Sequence, residues 1–168
     1  MQRFDGAVRL GCVTISPVSA SYEFDSFYDQ HRPAMLRLAH LLCGSAEVGE
    51  EVAQEAFLVV HARWSTLDKP AAYLRVVVVN KSRSLQRRQI RERRHLRSVR
   101  EASSAFAPEV DETWQQLRIL SSDQRATIVL RFYEDLAVAE IAEVMDKPIG
   151  TVKSLLHRGM AELKASLT

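Results

Sequence analysis

A chain of 168 residues has room for one ordinary domain or two small ones, which excludes a large barrel enzyme. Its 46% hydrophobic and 26% charged residues are the composition of a chain that buries a core, which excludes wholesale disorder. The net charge is only +2, from 23 Lys+Arg against 21 Asp+Glu, but the signs are separated along the chain. From Tyr22 to Ala56 seven acids stand against two bases, and from Lys81 to Arg100 nine bases stand against Glu92 alone. Such separation assigns different partners to different segments, with a polyanion the natural mate of the Arg-rich one. No apolar run approaches the ~20 residues of a membrane span. Cys12 and Cys43 have no CxxC spacing, so neither a zinc knuckle nor a disulfide is expected and the compartment reads as reducing.

Residues 1–21 read as a disordered leader. Phe24, Phe27, Tyr28, His31, Met35, Leu38 and Leu42 then recur at helical spacing, with Pro33 expected to kink or divide the helix and Gly44 to stop it. Ser45 is placed to cap a second helix running to about Trp64. That helix puts Val48, Val52, Ala53, Ala56, Phe57, Val59, Val60 and Trp64 on one side and Glu47, Glu50, Glu51, Gln54 and Glu55 on the other. Pro70 opens a third helix. The run Val76 to Val79 suits a strand when taken alone, but its neighbours favour helix. Leu74, Val77, Val78 and Leu85 share one face of that helix; Tyr73, Val76, Asn80, Arg83, Arg87 and Arg91 share another.

Residues 98–111, with Ser103, Ser104 and Pro108 and little periodicity, read as a flexible linker. Trp114, Leu117 and Leu120 then share a helical face, and Ser121 with Gln124 forms a candidate capping box for a helix carrying Ile128, Val129, Phe132 and Tyr133 inward. Glu134 and Asp135 end it. Val138, Ile141, Ala142 and Met145 give a short helix, and Asp146 to Pro148 a turn. Ile149, Val152, Leu156, Met160, Leu163 and Leu167 are the expected inner stripe of the last helix. Helix, tight turn and helix, with Thr151, Lys153, Ser154, His157 and Arg158 facing outward, is the helix-turn-helix pattern, and an ordinary helical hairpin is its bland alternative.

Three constellations carry chemistry. The outward face of the last helix offers short hydroxyls and long cations, which suit phosphates and base edges in the major groove. Arg83, Arg87 and Arg91 stand four residues apart, where like charges repel by roughly 0.2–0.5 kcal/mol per pair; a phosphate backbone removes that penalty, and Tyr73 on the same face can stack on an unpaired base. Glu47, Glu51 and Glu55 form an acidic stripe with Leu58 in the middle of its arc, a pattern suited to docking on a basic protein surface with an apolar spot. Enzyme signatures are poor. Glu51, Glu55 and His61 lack metal-ligand spacing, and no phosphate loop, GxGxxG or GxSxG occurs, so neither a metal nor a cofactor is expected. A stand-alone helix-turn-helix regulator is the competing binding function.

The order of these parts resembles the extracytoplasmic-function (ECF) sigma factors, small sigma subunits of bacterial RNA polymerase. Phe27-Tyr28 and the run Ala46 to Phe57 resemble the first parts of the family's region two, and Ala72-Tyr73-Leu74-Arg75 with Asn80, Arg87 and Arg88 the later parts. Gln124-Arg125-Ala126, Leu130 to Leu136, Glu140-Ile141-Ala142 and Gly150 to Ser154 resemble region four. The resemblance implies an all-α protein of two small helical domains, with region two over 22–97 and region four over 112–168.

It also implies a cytoplasmic, non-catalytic promoter-specificity subunit. Glu47, Glu50, Glu51, Gln54, Glu55 and Leu58 would bind the β′ clamp helices of the polymerase core. Tyr73, Asn80, Arg83, Arg87, Arg88 and Arg91 would engage the minus-ten element, with a flipped base beside Asn80. Gly150, Thr151, Lys153, Ser154, His157 and Arg158 would meet the minus-thirty-five element while region four docks on the β flap. An anti-sigma factor is the remaining partner the family suggests. Ala137, Leu155 and Ser84 depart from the family pattern, which commonly has Ser, Arg and Asp there.

Overall fold

A computed structural model of the chain describes residues 17–96 and 112–166. They form α1 (Pro17–Cys43), α2 (Ala46–His61), a 3-10 turn (Trp64–Thr66), α3 (Pro70–Leu96), α4 (Glu112–Leu117), α5 (Ser122–Phe132), α6 (Val138–Met145) and α7 (Ile149–Ser166). No strand occurs among the described residues. The expected linker and residues 1–16 lie outside the described residues, whereas 17–21 of the expected leader are the first turns of α1.

α1 is neither divided nor ended at Pro33. An interior proline costs about 3 kcal/mol through the lost N–H and the crowded carbonyl one turn back. Here Pro33 is exposed, and the buried stripe Phe27, Met35, Leu38 and Leu42 keeps its phase on both sides of it, so packing outweighs the local defect. The helix ends at Gly44, whose φ of 77° is the left-handed conformation that closes a helix and whose N–H donates to the His40 carbonyl at 2.7 Å. Ser45 Oγ then accepts the Val48 N–H at 3.3 Å and starts α2. α2 stops at His61, one turn before Trp64. Gly49 sets the α1–α2 approach: a Cβ there would lie 2.9 Å from the His40 backbone nitrogen.

α1, α2 and the first half of α3 bury Leu38, Ala56, Val60, Leu74, Val78 and Val79 completely. The four valines belong to a helix, as their neighbours required, because the pairing of Leu74 with Val78 is a one-turn step. Phe24, Phe27, Phe57 and Trp64 pack edge-on or tilted at one end of this bundle, with centroids 4.9–6.3 Å apart where they touch.

The second bundle is built on α5, where Ser121 Oγ accepts the Gln124 N–H and Gln124 Oε1 accepts the Ser121 N–H, the complete capping box. Leu130, Ile141, Met145 and Val152 form its core. Two expected faces differ from the structure. Phe132 and Tyr133 are exposed, because α5 ends there and Asp135, at φ 51°, turns the chain away. The buried line of α7 is Val152, Leu155 and Gly159; Leu156 and Leu163 pack partly buried against the core as expected, Ile149 and Met160 are exposed, and Leu167 lies outside the described residues. Gly159 is the cause. Its missing Cβ would sit 2.8 Å from Ile128 Cδ1, so α7 rolls towards α5 along that line and carries Leu155 into the core.

At the start of α6, Ala137 supplies half of a cap. Its N–H donates to Glu140 Oε2 at 2.7 Å, but its side chain has no acceptor for the first-turn N–H groups. Ala137→Ser should complete the box and raise stability by about 1 kcal/mol, seen as a higher urea midpoint with unchanged slope.

Candidate functional site

Three surfaces carry the polar residues singled out in the sequence. On α2, Glu47, Glu50, Glu51, Gln54 and Glu55 are all exposed. Glu50 meets Arg32 at 3.3 Å and Glu55 meets Lys81, both at the surface, where ion pairs contribute little. Leu58 is 68% exposed on the same helix, at the mouth of a cavity of about 410 Å³ lined with Phe24, Tyr28, Phe57 and His61. Asp25 and Gln54 also line this cavity, and none of the α2 glutamates does.

On α7, Gly150, Thr151, Lys153, Ser154, His157 and Arg158 are all exposed. Ser154 Oγ donates to the Gly150 carbonyl at 2.9 Å and Arg158 Nε to the Ser154 carbonyl at 3.3 Å. These are contacts within the helix itself, which a ligand can exchange without disturbing the core. A Cβ at Gly150 would meet nothing within 4 Å, so the fold itself does not require glycine there.

The basic helix is not the single free face that its spacing suggested. Arg83 is buried, 7% exposed. Its guanidinium donates to Asp123 Oδ1 at 2.9 Å, to Asn80 Oδ1 at 3.2 Å and to the Met145 carbonyl at 3.2 Å. Arg87 is exposed but donates to both Asp123 oxygens at 3.0 and 3.2 Å, and Lys147 completes the cluster at 3.2 Å. Arg88 pairs with Glu92 at 2.7 Å. Arg88 and Arg91 face instead a groove of about 530 Å³ that they line with Asn80, Lys81, Glu51 and Glu55. Tyr73 is half-buried, its hydroxyl accepting from Arg63 at 2.9 Å. Residues read as one ridge are thus divided between two sides of α3.

The cause is Asp123, which sequence reading passed over because an acid in the first turn of a helix already has a role there. Desolvation pushes its carboxyl up, but the bonds and charge of Arg83 and then Lys147 outweigh that, and the net shift is below the usual carboxylate value. Arg125 was also missed. It donates to the carbonyls of Leu117, Arg118 and Leu120 and, across the bundles, to that of Leu42 at 3.1 Å. Its guanidinium lies 4.3 Å from the centre of the Trp114 ring, and burial lowers its pKa to about 10. Gln86 donates to the same Leu42 carbonyl. The orphan end of α1 is therefore satisfied by side chains from two other helices. Cys43 beside it is half-buried, and burial pushes its thiol up, which makes it a poor nucleophile at neutral pH.

Among the described residues no group of three or more His, Cys, Asp or Glu could hold a metal ion, and no helix is long and apolar enough to cross a membrane.

Residues 27–92 match the family model for Sigma-70 region 2, and residues 111–163 that for Sigma-70, region 4. The chain is 30% identical over 157 residues to the RNA polymerase sigma-E factor of Streptomyces coelicolor, covering 86% of each protein. It is 25% identical over 169 residues to the ECF RNA polymerase sigma factor SigW of Bacillus subtilis, covering 86% of this chain and 88% of that one. Its fold is that of the sigma factor RpoE from Bartonella quintana, solved with the anti-sigma factor NepR, at a TM-score of 0.70 and 23% identity over 86% and 96% of the two chains. A second solved relative, CnrH with the cytosolic domain of CnrY, gives a TM-score of 0.63. The chain belongs to the ECF sigma factors of RNA polymerase. A region 2 match preceding region 4 sets aside the stand-alone helix-turn-helix regulator.

Arg125→Met keeps a long side chain on Trp114 but leaves buried carbonyls without donors. It should destabilise the protein by at least about 1–3 kcal/mol in urea unfolding, whereas the same change at exposed Arg158 should be near neutral.

Proposed function

We propose that this sigma factor divides its work between three surfaces. The acidic face of α2, with Glu47, Glu50, Glu51, Gln54, Glu55 and Leu58, docks on the polymerase core at the β′ subunit. Tyr73, Asn80, Arg83, Arg87, Arg88 and Arg91 on α3 engage the minus-ten element as it opens. Gly150, Thr151, Lys153, Ser154, His157 and Arg158 on α7 enter the major groove of the upstream element. The domains follow as 22–97 and 112–168 with a linker at 98–111. The observation that carries this reading is the sorting of charge by surface: α2 exposes carboxylates together with Leu58, and α7 exposes hydroxyls and cations.

The chain supplies binding energy, and RNA synthesis belongs to the polymerase, in the cytoplasm. Unstacking a base costs a few kcal/mol, which phosphate contacts and a stacked ring such as Tyr73 offset. An anti-sigma protein is a further partner, as the structurally similar RpoE was solved with one.

Reversing charge with Glu51→Lys and Glu55→Lys together should abolish co-purification with core polymerase and promoter-directed transcription while the helical circular dichroism stays unchanged; retained core binding would remove α2 from the interface. Lys153→Ala should weaken binding of the holoenzyme to promoter DNA and lower the slope of log affinity against log salt by about 1. An unchanged slope would place Lys153 away from the phosphates.

A further inference from the structure

The end of α1, the first turn of α2 and the second half of α3 meet α4 and the start of α5 around a cavity of about 550 Å³, within the roughly 300–1,000 Å³ range of small-molecule sites. Val48, Trp114 and Leu120 give it apolar surface, and Gln89, Arg118 and Ser122 give it donors. Its charge is unbalanced, for Arg118 and Arg125 line it and, among the described residues, no Asp or Glu does. Arg125 is the sharper case. It is 7% exposed and commits its donors to neutral carbonyls, so a buried cation stands without a carboxylate partner among the described residues. The Cys43 thiol beside it supplies no counter-charge, because burial pushes its pKa up. Buried charges are ordinarily paired, since desolvating an ion is costly unless an opposite charge offsets it. Arg118 has no ion pair among the described residues either, and it follows Trp114 by one turn, which sets guanidinium and indole side by side.

We propose that this cavity is a binding site for a nucleoside diphosphate, whose phosphates neutralise Arg118 and Arg125 and whose base lies against Trp114 and Leu120. A guanidinium takes phosphate oxygens in pairs through its planar fork. Arg118 has donors to give; Arg125, its donors already committed, acts through its charge. An inorganic anion answers the charge but leaves the indole and Leu120 side of so large a space empty. A planar ring fills it, and the Gln89 amide offers the ring edge both a donor and an acceptor. None of the residues assigned above to the polymerase and promoter surfaces lines the cavity, so the site is independent of those assignments. A ligand held there touches five helices at once, and the folded chain gains stability from it by mass action.

The test is calorimetric titration of the full chain at low ionic strength with adenosine diphosphate and, separately, with inorganic pyrophosphate, the thermal midpoint being followed in parallel. Adenosine diphosphate should bind with a dissociation constant below about 1 mM and about tenfold tighter than pyrophosphate, and it should raise the midpoint as its concentration passes that constant. Arg118→Glu reverses the exposed charge, and Gln89→Trp fills the space without changing charge. Each should weaken binding about tenfold or more with the helical circular dichroism unchanged, and the second variant keeps the test decisive if the first misfolds. Lys69→Glu is the control for net charge: it is exposed just before α3, about 25 Å along that helix from Gln86, and should leave the affinity unchanged. No binding of adenosine diphosphate in that range, an affinity no better than that of pyrophosphate, an equal loss in Lys69→Glu, or full affinity in both cavity variants would overturn the proposal.

Discussion

Two guanidinium groups one turn apart on a helix must share an anion or stay apart in water, and that constraint shapes the whole molecule. Arg83 and Arg87 satisfy it with a single carboxylate from another bundle. Because Arg83 is then desolvated, its remaining donors need acceptors too, and Asn80 and the Met145 carbonyl supply them. The position of α5 and α6 over α3 follows from this set of bonds as much as from apolar contact. Lys147, in the turn before α7, ties the start of that helix to the same carboxylate.

The helices themselves were legible in the sequence because their signals are local. Ser45, the Ser121 and Gln124 pair, Pro70 and Gly44 each fix a helix end through bonds spanning a few residues, and each stands where the pattern put it. The errors fell where a distant partner decides. Pro33 is tolerated because α1 is packed on both sides of it, Leu155 is buried because Gly159 admits Ile128, and neither fact is written in a window of ten residues. Phe132 and Tyr133 obey the helical period yet face solvent, since periodicity gives a direction and cannot say where the covering helix stops.

The candidate surfaces divide in the same way. The faces of α2 and α7 could be drawn from the sequence because each needs only its own helix to be defined, and their polar residues are all exposed. α3 could not, because its arginines choose between solvent and a carboxylate forty residues away in sequence. Arg125 illustrates the limit most clearly: it lies inside a stretch that marks the family, yet its bonds run to four carbonyls, three before its own helix and one at the end of α1. Composition assigns such a residue to a basic surface, and geometry assigns it to a scaffold.

Gly44 joins two of these themes. The site its Cβ would fill is taken by the Trp114 indole, and its backbone is the left-handed closure of α1. Any side chain at that position would both distort the end of the first helix and push away the ring that seats the second bundle. No intermediate side-chain size is available there, so glycine alone leaves both the end of α1 and the seat of the indole in place.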